Sequence, residues 1–172
     1  QGAIHTFWLD TRGMTESMRA ALYYRRSDDG GARFEEEVRL QENDQCPCCQ
    51  VSAVTSGPSS LFVSARQITG DNIRTPTVML SGDNGASFGA PVETGGTPWR
   101  LEGCPLKLTA MATTPDTIHS LVHNGAEDPP GLLYARAAQR DMRFLSPQKI
   151  HPEAAVSDSP AMASIGDTLL AI

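Results

Sequence analysis

Short runs in which apolar and polar positions alternate follow one another along the whole chain, separated by segments rich in Gly, Pro, Asn, Asp and Ser. A period of two marks a strand that buries one face, and the Gly- and Pro-rich segments are where such strands turn. Read this way, strands fall over residues 22–26, 77–80 and 132–136, each followed by another at 34–40, 88–93 and 144–150. Runs over 3–9, 61–66, 118–123 and 168–172 precede them in register, and runs over 51–55, 106–112 and 161–165 come one step earlier still. The pattern predicts about 13 strands. The one stretch with helix-like spacing, residues 15–23, lies where a loop should lead into a strand, so no long helix is expected.

A repeat organises these strands. Ser27-Asp28-Asp29-Gly30-Gly31-Ala32-Arg33-Phe34 recurs 54 residues later as Ser81-Gly82-Asp83-Asn84-Gly85-Ala86-Ser87-Phe88, both reading S-x-D-x-G-x-x-F. A degraded third copy follows 56 residues further on, with Ala137, Gln139 and Asp141 in place of Ser, Asp and Gly, and Phe144 retained. The chemistry is that of a tight turn. Ser27, Asp29, Ser81 and Asp83 can bond nearby backbone groups, Gly31 and Gly85 accept a positive φ, and Phe34 and Phe88 can pack beneath the hairpin.

The motif resembles the Asp-box, or bacterial neuraminidase repeat, of sialidase-like proteins, and the resemblance spans nearly the whole chain. It implies an all-β propeller of four-stranded antiparallel blades, about three of them present as part of a six-bladed ring. The chain then divides into blade pieces over 1–40, 50–94, 104–150 and 159–172 of a single partial propeller domain spanning 1–172. Closing the ring needs the remainder of the propeller or a second copy, because radially packed sheets otherwise leave apolar faces open. The motif itself is expected to stabilise turns rather than to carry catalysis.

Composition narrows the partners. A hydrophobic fraction of 40% suits a folded core, while a net charge of -6 and a pI near 5.1, with no Lys/Arg run, argue against nucleic acid as a partner. No apolar stretch reaches the ~18 residues of a membrane span. Residues 1–10 lack a basic leader and cleavage site, and both ends read as if cut from something longer.

In propellers of this kind the blade-to-blade loops and the loops joining second to third strands share one face. The first set contains Cys46-Pro47-Cys48-Cys49, Trp99-Arg100, Cys104-Pro105 and His151-Pro152. The second brings Asp10, Arg12, Arg66, Arg74, His123 and Asp128. All four cysteines lie on two adjacent loops, which leaves two readings. In an oxidising compartment a disulfide from the Cys-x-Cys-Cys cluster to Cys104 would staple two blades. Alternatively Cys46, Cys48, Cys49 and Cys104 supply soft thiolates suited to copper as Cu(I), and less well to zinc.

The resemblance also implies roles for charged residues. Sialidases grip a substrate carboxylate with three arginines, for which Arg12, Arg66 and Arg74 are candidates, and they need a carboxylic acid/base, for which Asp10 is the candidate. Arg100, Trp99 and His123 are further candidates for ligand binding on the same face. No Tyr and Glu pair suited to nucleophilic catalysis is identifiable, since Tyr23 and Tyr24 occupy strand positions. His5 and His119 align with Phe62 and read as structural. The leading expectation is a periplasmic or secreted sialidase-like propeller that binds an anionic or carbohydrate ligand. A sialidase-type glycoside hydrolase with part of its active site elsewhere, and a copper-binding protein, are the alternatives.

Overall fold

The computed structural model describes residues 2–14, 18–95, 98–126, 131–151 and 159–172, and every regular element among them is a strand. The all-β expectation holds. Antiparallel strands β1 (Ile4–Asp10), β2 (Ala20–Ser27) and β3 (Val38–Gln45) form a first unit. A second consists of β4 (Ser52–Ser56), β5 (Ser60–Thr69), β6 (Ile73–Ser81) and β7 (Val92–Glu93), with β8 (Trp99–Arg100) also paired to β6. The third runs β9 (Thr109–Thr114), β10 (Thr117–Asn124), β11 (Gly131–Ala138) and β12 (Gln148–His151), and β13 (Met162–Ile165) pairs with β14 (Thr168–Ala171). No helix among the described residues is long and apolar enough to cross a membrane.

Two features depart from the sequence expectation. The first two units are not separate sheets: β3 continues to Gln45, which pairs with Gln67 of β5, so one eight-stranded sheet spans both. Its last residues, Glu42 to Gln45, carry no apolar alternation, and the stretch is anchored by Gln45, which is fully buried and stands between Ala20 of β2 and Gln67 of β5. The strands expected directly after each turn also begin late, at Val38, Val92 and Gln148. Instead, each post-turn segment makes a single backbone bond to the preceding strand. These bonds run from Glu35 N to Arg26 O (2.8 Å), Gly89 N to Leu80 O (2.9 Å) and Leu145 N to Arg136 O (2.9 Å). The spacing repeats even where the sequence motif has decayed.

Alternation along β5 and β6 gives the second unit two buried faces. Val63, Ala65 and Met79 join Leu22, with Phe7, Leu9, Leu40 and Phe88 packed around them, and so bind the first unit. Phe62 and Val78 point the other way, into a core with Met111, Ile118, Ala137 and Met142 of the third unit and with partly buried Phe144. Fully burying each large apolar side chain contributes about 1.5–3 kcal/mol. Phe34 has no comparable neighbour among the described residues and is 37% exposed, contrary to its expected burial beneath the hairpin.

Both intact turns close in the same way. Ser27 and Ser81 hydroxyls accept from Gly31 N (2.9 Å) and Gly85 N (2.8 Å). They donate to Asp29 Oδ1 (2.9 Å) and Asp83 Oδ1 (2.8 Å), which also accept from Arg33 N and Ser87 N, each at 2.9 Å. Hydrogen bonds from the Ser87 side chain and backbone, then from Ser81, hold the Asp83 carboxyl down at about 2. In the third turn the Gln139 amide substitutes, donating to Thr114 O (2.8 Å) and Ser56 Oγ (2.9 Å).

Units meet tightly at the second turn, where a Cβ on Gly85, at φ +85°, would stand 1.9 Å from the Tyr24 hydroxyl oxygen. Gly57 has φ +61° and open space around its missing Cβ. Gly57→Ala is therefore expected to cost about 1–2 kcal/mol from backbone strain alone. Gly85→Ala should cost more, about 4 kcal/mol, because the turn and the Tyr24 contact cannot both persist. Urea unfolding of the two variants checks the difference, and equal midpoints would refute the contact.

Candidate functional site

The cysteine site is built from the end of β3 and the start of its connection to β4. Cys46-Pro47-Cys48-Cys49 forms a tight turn closed by Cys49 N to Cys46 O (3.2 Å), and Pro47 fits the second position because its ring presets φ. Cys46 N donates to Arg66 O (2.8 Å), tying the turn to β5. Cys104 arrives from the loop after β8. That loop is held by Arg74, whose Nη2 donates to Gly103 O (2.7 Å) and Leu101 O (3.3 Å).

These constraints bring three sulfurs together. Cys46 Sγ lies 3.1 Å from Cys49 Sγ and 3.3 Å from Cys104 Sγ, and all three atoms lie within 4.8 Å of one another. Cys46 and Cys49 are buried against Ile68, Cys104 is half-buried, and all four cysteines are free thiols, with Cys48 exposed. The sulfur spacings are well beyond a covalent bond of about 2.05 Å.

Arg66 and Ile68 alternate along β5, while Pro76 and Arg74 of β6 stand opposite them, so all four share the face that carries Phe62 and Val78. That face is apolar at the end near the Ser81 turn and cationic at the end near the cysteines. Arg66 is only 3% exposed, and among the described residues none of its three guanidinium nitrogens has a hydrogen-bond partner of acceptable geometry. Burial lowers its pKa, countered by Cys49 first and then by Cys46 and Cys104. Arg74, 6% exposed, leaves Nε and Nη1 without a partner among the described residues.

The thiols differ in acidity. The hydrogen bond with Cys46 draws the Cys49 pKa down, helped by the charge of Arg66 and opposed by burial. Cys46 moves up, through the same bond and then burial. Burial, followed by a bond with Cys48, pushes Cys104 up to about 12. Beside this cluster opens a cleft of about 330 Å³ lined by Met18, Cys46, Cys48, Asn72, Arg74 and Cys104.

The remaining candidates are arranged differently. Arg12 pairs with Asp10 (2.7 Å) and Glu37 (2.7 Å) and lies over the Tyr23 ring (4.7 Å). Its side chain and backbone N–H, with the Trp8 indole, hold Asp10 well below the usual carboxylate range. A carboxyl so held is a poor proton donor. Arg100 pairs with Glu102 (2.9 Å) at the surface.

Trp99 and Arg100 form β8 rather than a loop, opposite Arg74 and Ile73, because two ladder pairs with β6 take them up. The Trp99 ring meets His123 edge-on at 6.3 Å. His5 bonds Tyr24 (2.7 Å) and Asn84 (3.2 Å), and His119 bonds Tyr134 (2.7 Å) and Thr114 (3.0 Å). These are the structural roles expected of both histidines. His151 ends β12, while Asp128 and Pro152 lie outside the described residues.

Sequence reasoning placed the cysteines and Arg74 near one another but missed Met18 and Asn72. Asn72 carried a usable signal, since it follows Gly70-Asp71 and takes φ +57°, the geometry of a sharp turn.

The fold is similar to that of a sialidase. Hadza microbial sialidase Hz136 superposes on 95% of this chain with a TM-score of 0.59 and 14% sequence identity. The chain spans 34% of the length of that sialidase. No family model and no curated protein matches the sequence.

Access rather than acidity governs the rate at which these thiols react, since a buried thiolate is shielded from a solution electrophile. Native, reduced protein treated with iodoacetamide should be labelled first at Cys48, with Cys46 and Cys49 labelled only after unfolding. Peptide mass mapping reads this directly, and labelling of Cys49 as fast as Cys48 would contradict the geometry.

Proposed function

We propose that this chain is part of a sialidase-like β-propeller, its Ser-Asp turns being Asp-boxes, and that it binds an anionic ligand of the sugar-acid class. The observation that carries this reading is Arg74. It lines the cleft, is almost fully buried and has two nitrogens without partners. A carboxylate entering there would receive charge-assisted hydrogen bonds from a guanidinium already fixed by two backbone carbonyls.

The likeness to a sialidase fold supports the scaffold, and exposed apolar residues on the last hairpin support closure of the ring by further blades or a second copy: Ile165 and Leu170 are 70% and 52% exposed in β13 and β14. A periplasmic or secreted setting accompanies this reading.

Hydrolysis of sialosides is the second reading, favoured by the fold likeness and by the chain spanning only a third of that sialidase. Against it stands Asp10, paired with Arg12.

Titration calorimetry with N-acetylneuraminic acid and with its neutral methyl ester tests the first reading. The acid should bind, the ester should bind far more weakly, and Arg74→Gln should lose about tenfold or more, the worth of one charge-assisted bond. Equal binding of acid and ester would overturn it. Turnover of a fluorogenic sialoside by the same protein would replace it with the hydrolase.

A further inference from the structure

Among the described residues, none of the three guanidinium nitrogens of Arg66 has a hydrogen-bond partner and no carboxylate pairs with it. Its guanidinium is buried, stays protonated at any physiological pH, and acts mainly on the sulfurs of Cys49, Cys46 and Cys104. An uncompensated buried charge costs several kcal/mol, so a natural site with this composition calls for negative charge close by. Three neutral thiols supply none, and neither does a disulfide. One thiolate would balance it, whereas a second and a third, at 3.1 and 3.3 Å, repel one another unless a cation sits among them.

From this arrangement we infer that Cys46, Cys49 and Cys104 bind one Cu(I) ion as a three-coordinate thiolate site, with the buried guanidinium of Arg66 as its charge partner. Three thiols lose their protons to solvent and three Cu–S bonds form, leaving a complex of net charge two minus. No electron is transferred. Arg66 offsets one negative charge, and Arg74 stands at the same cleft.

Geometry favours this ion. Sulfurs about 2.3 Å from a central ion in one plane stand about 4 Å apart. The present spacings are 3.1 and 3.3 Å with none beyond 4.8 Å, so small rotations of the side chains would admit the ion. Zinc in structural sites takes four ligands, whereas Cys48 lies outside the trio and is exposed. Soft sulfur ligands select Cu(I), and the cleft offers an entry path flanked by the Met18 thioether. This inference does not depend on the cleft taking a sugar acid.

The test uses the reduced full chain under anaerobic conditions, with Cu(I) supplied against the chromogenic chelator bicinchoninate. One Cu(I) per chain should be withdrawn from the chelator, with three protons released. Serine at Cys46, Cys49 or Cys104 should each weaken binding by about a hundredfold or more, through loss of a thiolate ligand. Cys48→Ser should leave it within about threefold, and Arg66→Gln should weaken it by about tenfold to a hundredfold, as loss of an outer-shell partner does.

Far-UV circular dichroism confirms that each variant is folded. Should a buried cysteine variant fail to fold, Cys104→Ser, on a half-buried loop position, carries the comparison against Cys48→Ser. Three results would each overturn the inference: no copper withdrawn by folded reduced protein, equal loss with Cys48→Ser, or no effect of Arg66→Gln. Tighter binding of Zn(II) that requires all four cysteines would also overturn it, in favour of a tetrahedral site.

Discussion

The β5–β6 pair is covered on both faces, and the other elements take their positions from that double burial. Strand alternation sends Val63, Ala65 and Met79 toward the first unit and Phe62 and Val78 toward the third. Because the side-chain period is two, a one-residue slip would exchange these sets and place Arg66 where Ala65 packs. Register is therefore fixed by two cores at once. Everything at the far end of the hairpin, including the cationic pair and the loop it holds, inherits its precision from there.

The two ends of the hairpin perform different work. At the Ser81 end, serine and aspartate side chains satisfy turn amides, and Tyr24 of the first unit packs over Gly85 of the second. At the other end the same sheet face turns polar, with Arg66 and Arg74 among the least exposed residues of the chain. Burying two guanidinium groups there is costly and adds little to stability by itself. Such a departure from an apolar core is what a functional site looks like in energetic terms.

Much of the scaffold was legible in the sequence because it rests on local rules. Alternation and the S-x-D-x-G-x-x-F spacing located β1, β2, β4, β5, β10, β11, β13 and β14 closely, while β6 begins at Ile73, four residues before the expected 77–80, and so takes up Arg74, which was expected on a loop. The extension of β3 to Gln45 was not legible, since Glu42, Asp44 and Gln45 offer neither alternation nor strand propensity, and it is the pairing of Gln45 with Gln67 of β5 that draws the stretch into the sheet. Likewise β8 exists only because β6 is long enough to offer Ile73 and Arg74 as partners.

The Cys-Pro-Cys-Cys turn was legible as a cluster of cysteines close to Cys104. Which three of the four sulfurs converge depended on the contact with the distant Cys104 loop, which Arg74 positions. The three arginines looked equivalent in sequence. Their difference comes from burial and partners: Arg12 is spent on Asp10 and Glu37, while Arg66 is enclosed beside the sulfurs.

The most direct check on this account is a crystal structure with a sulfur anomalous map, collected from protein kept reduced. The account predicts three sulfur peaks for Cys46, Cys49 and Cys104 within 4.8 Å of one another, with the Arg66 side chain turned toward them and Cys48 outside the group. A map with Cys104 well separated from the other two, or with Arg66 paired to a carboxylate elsewhere, would contradict it.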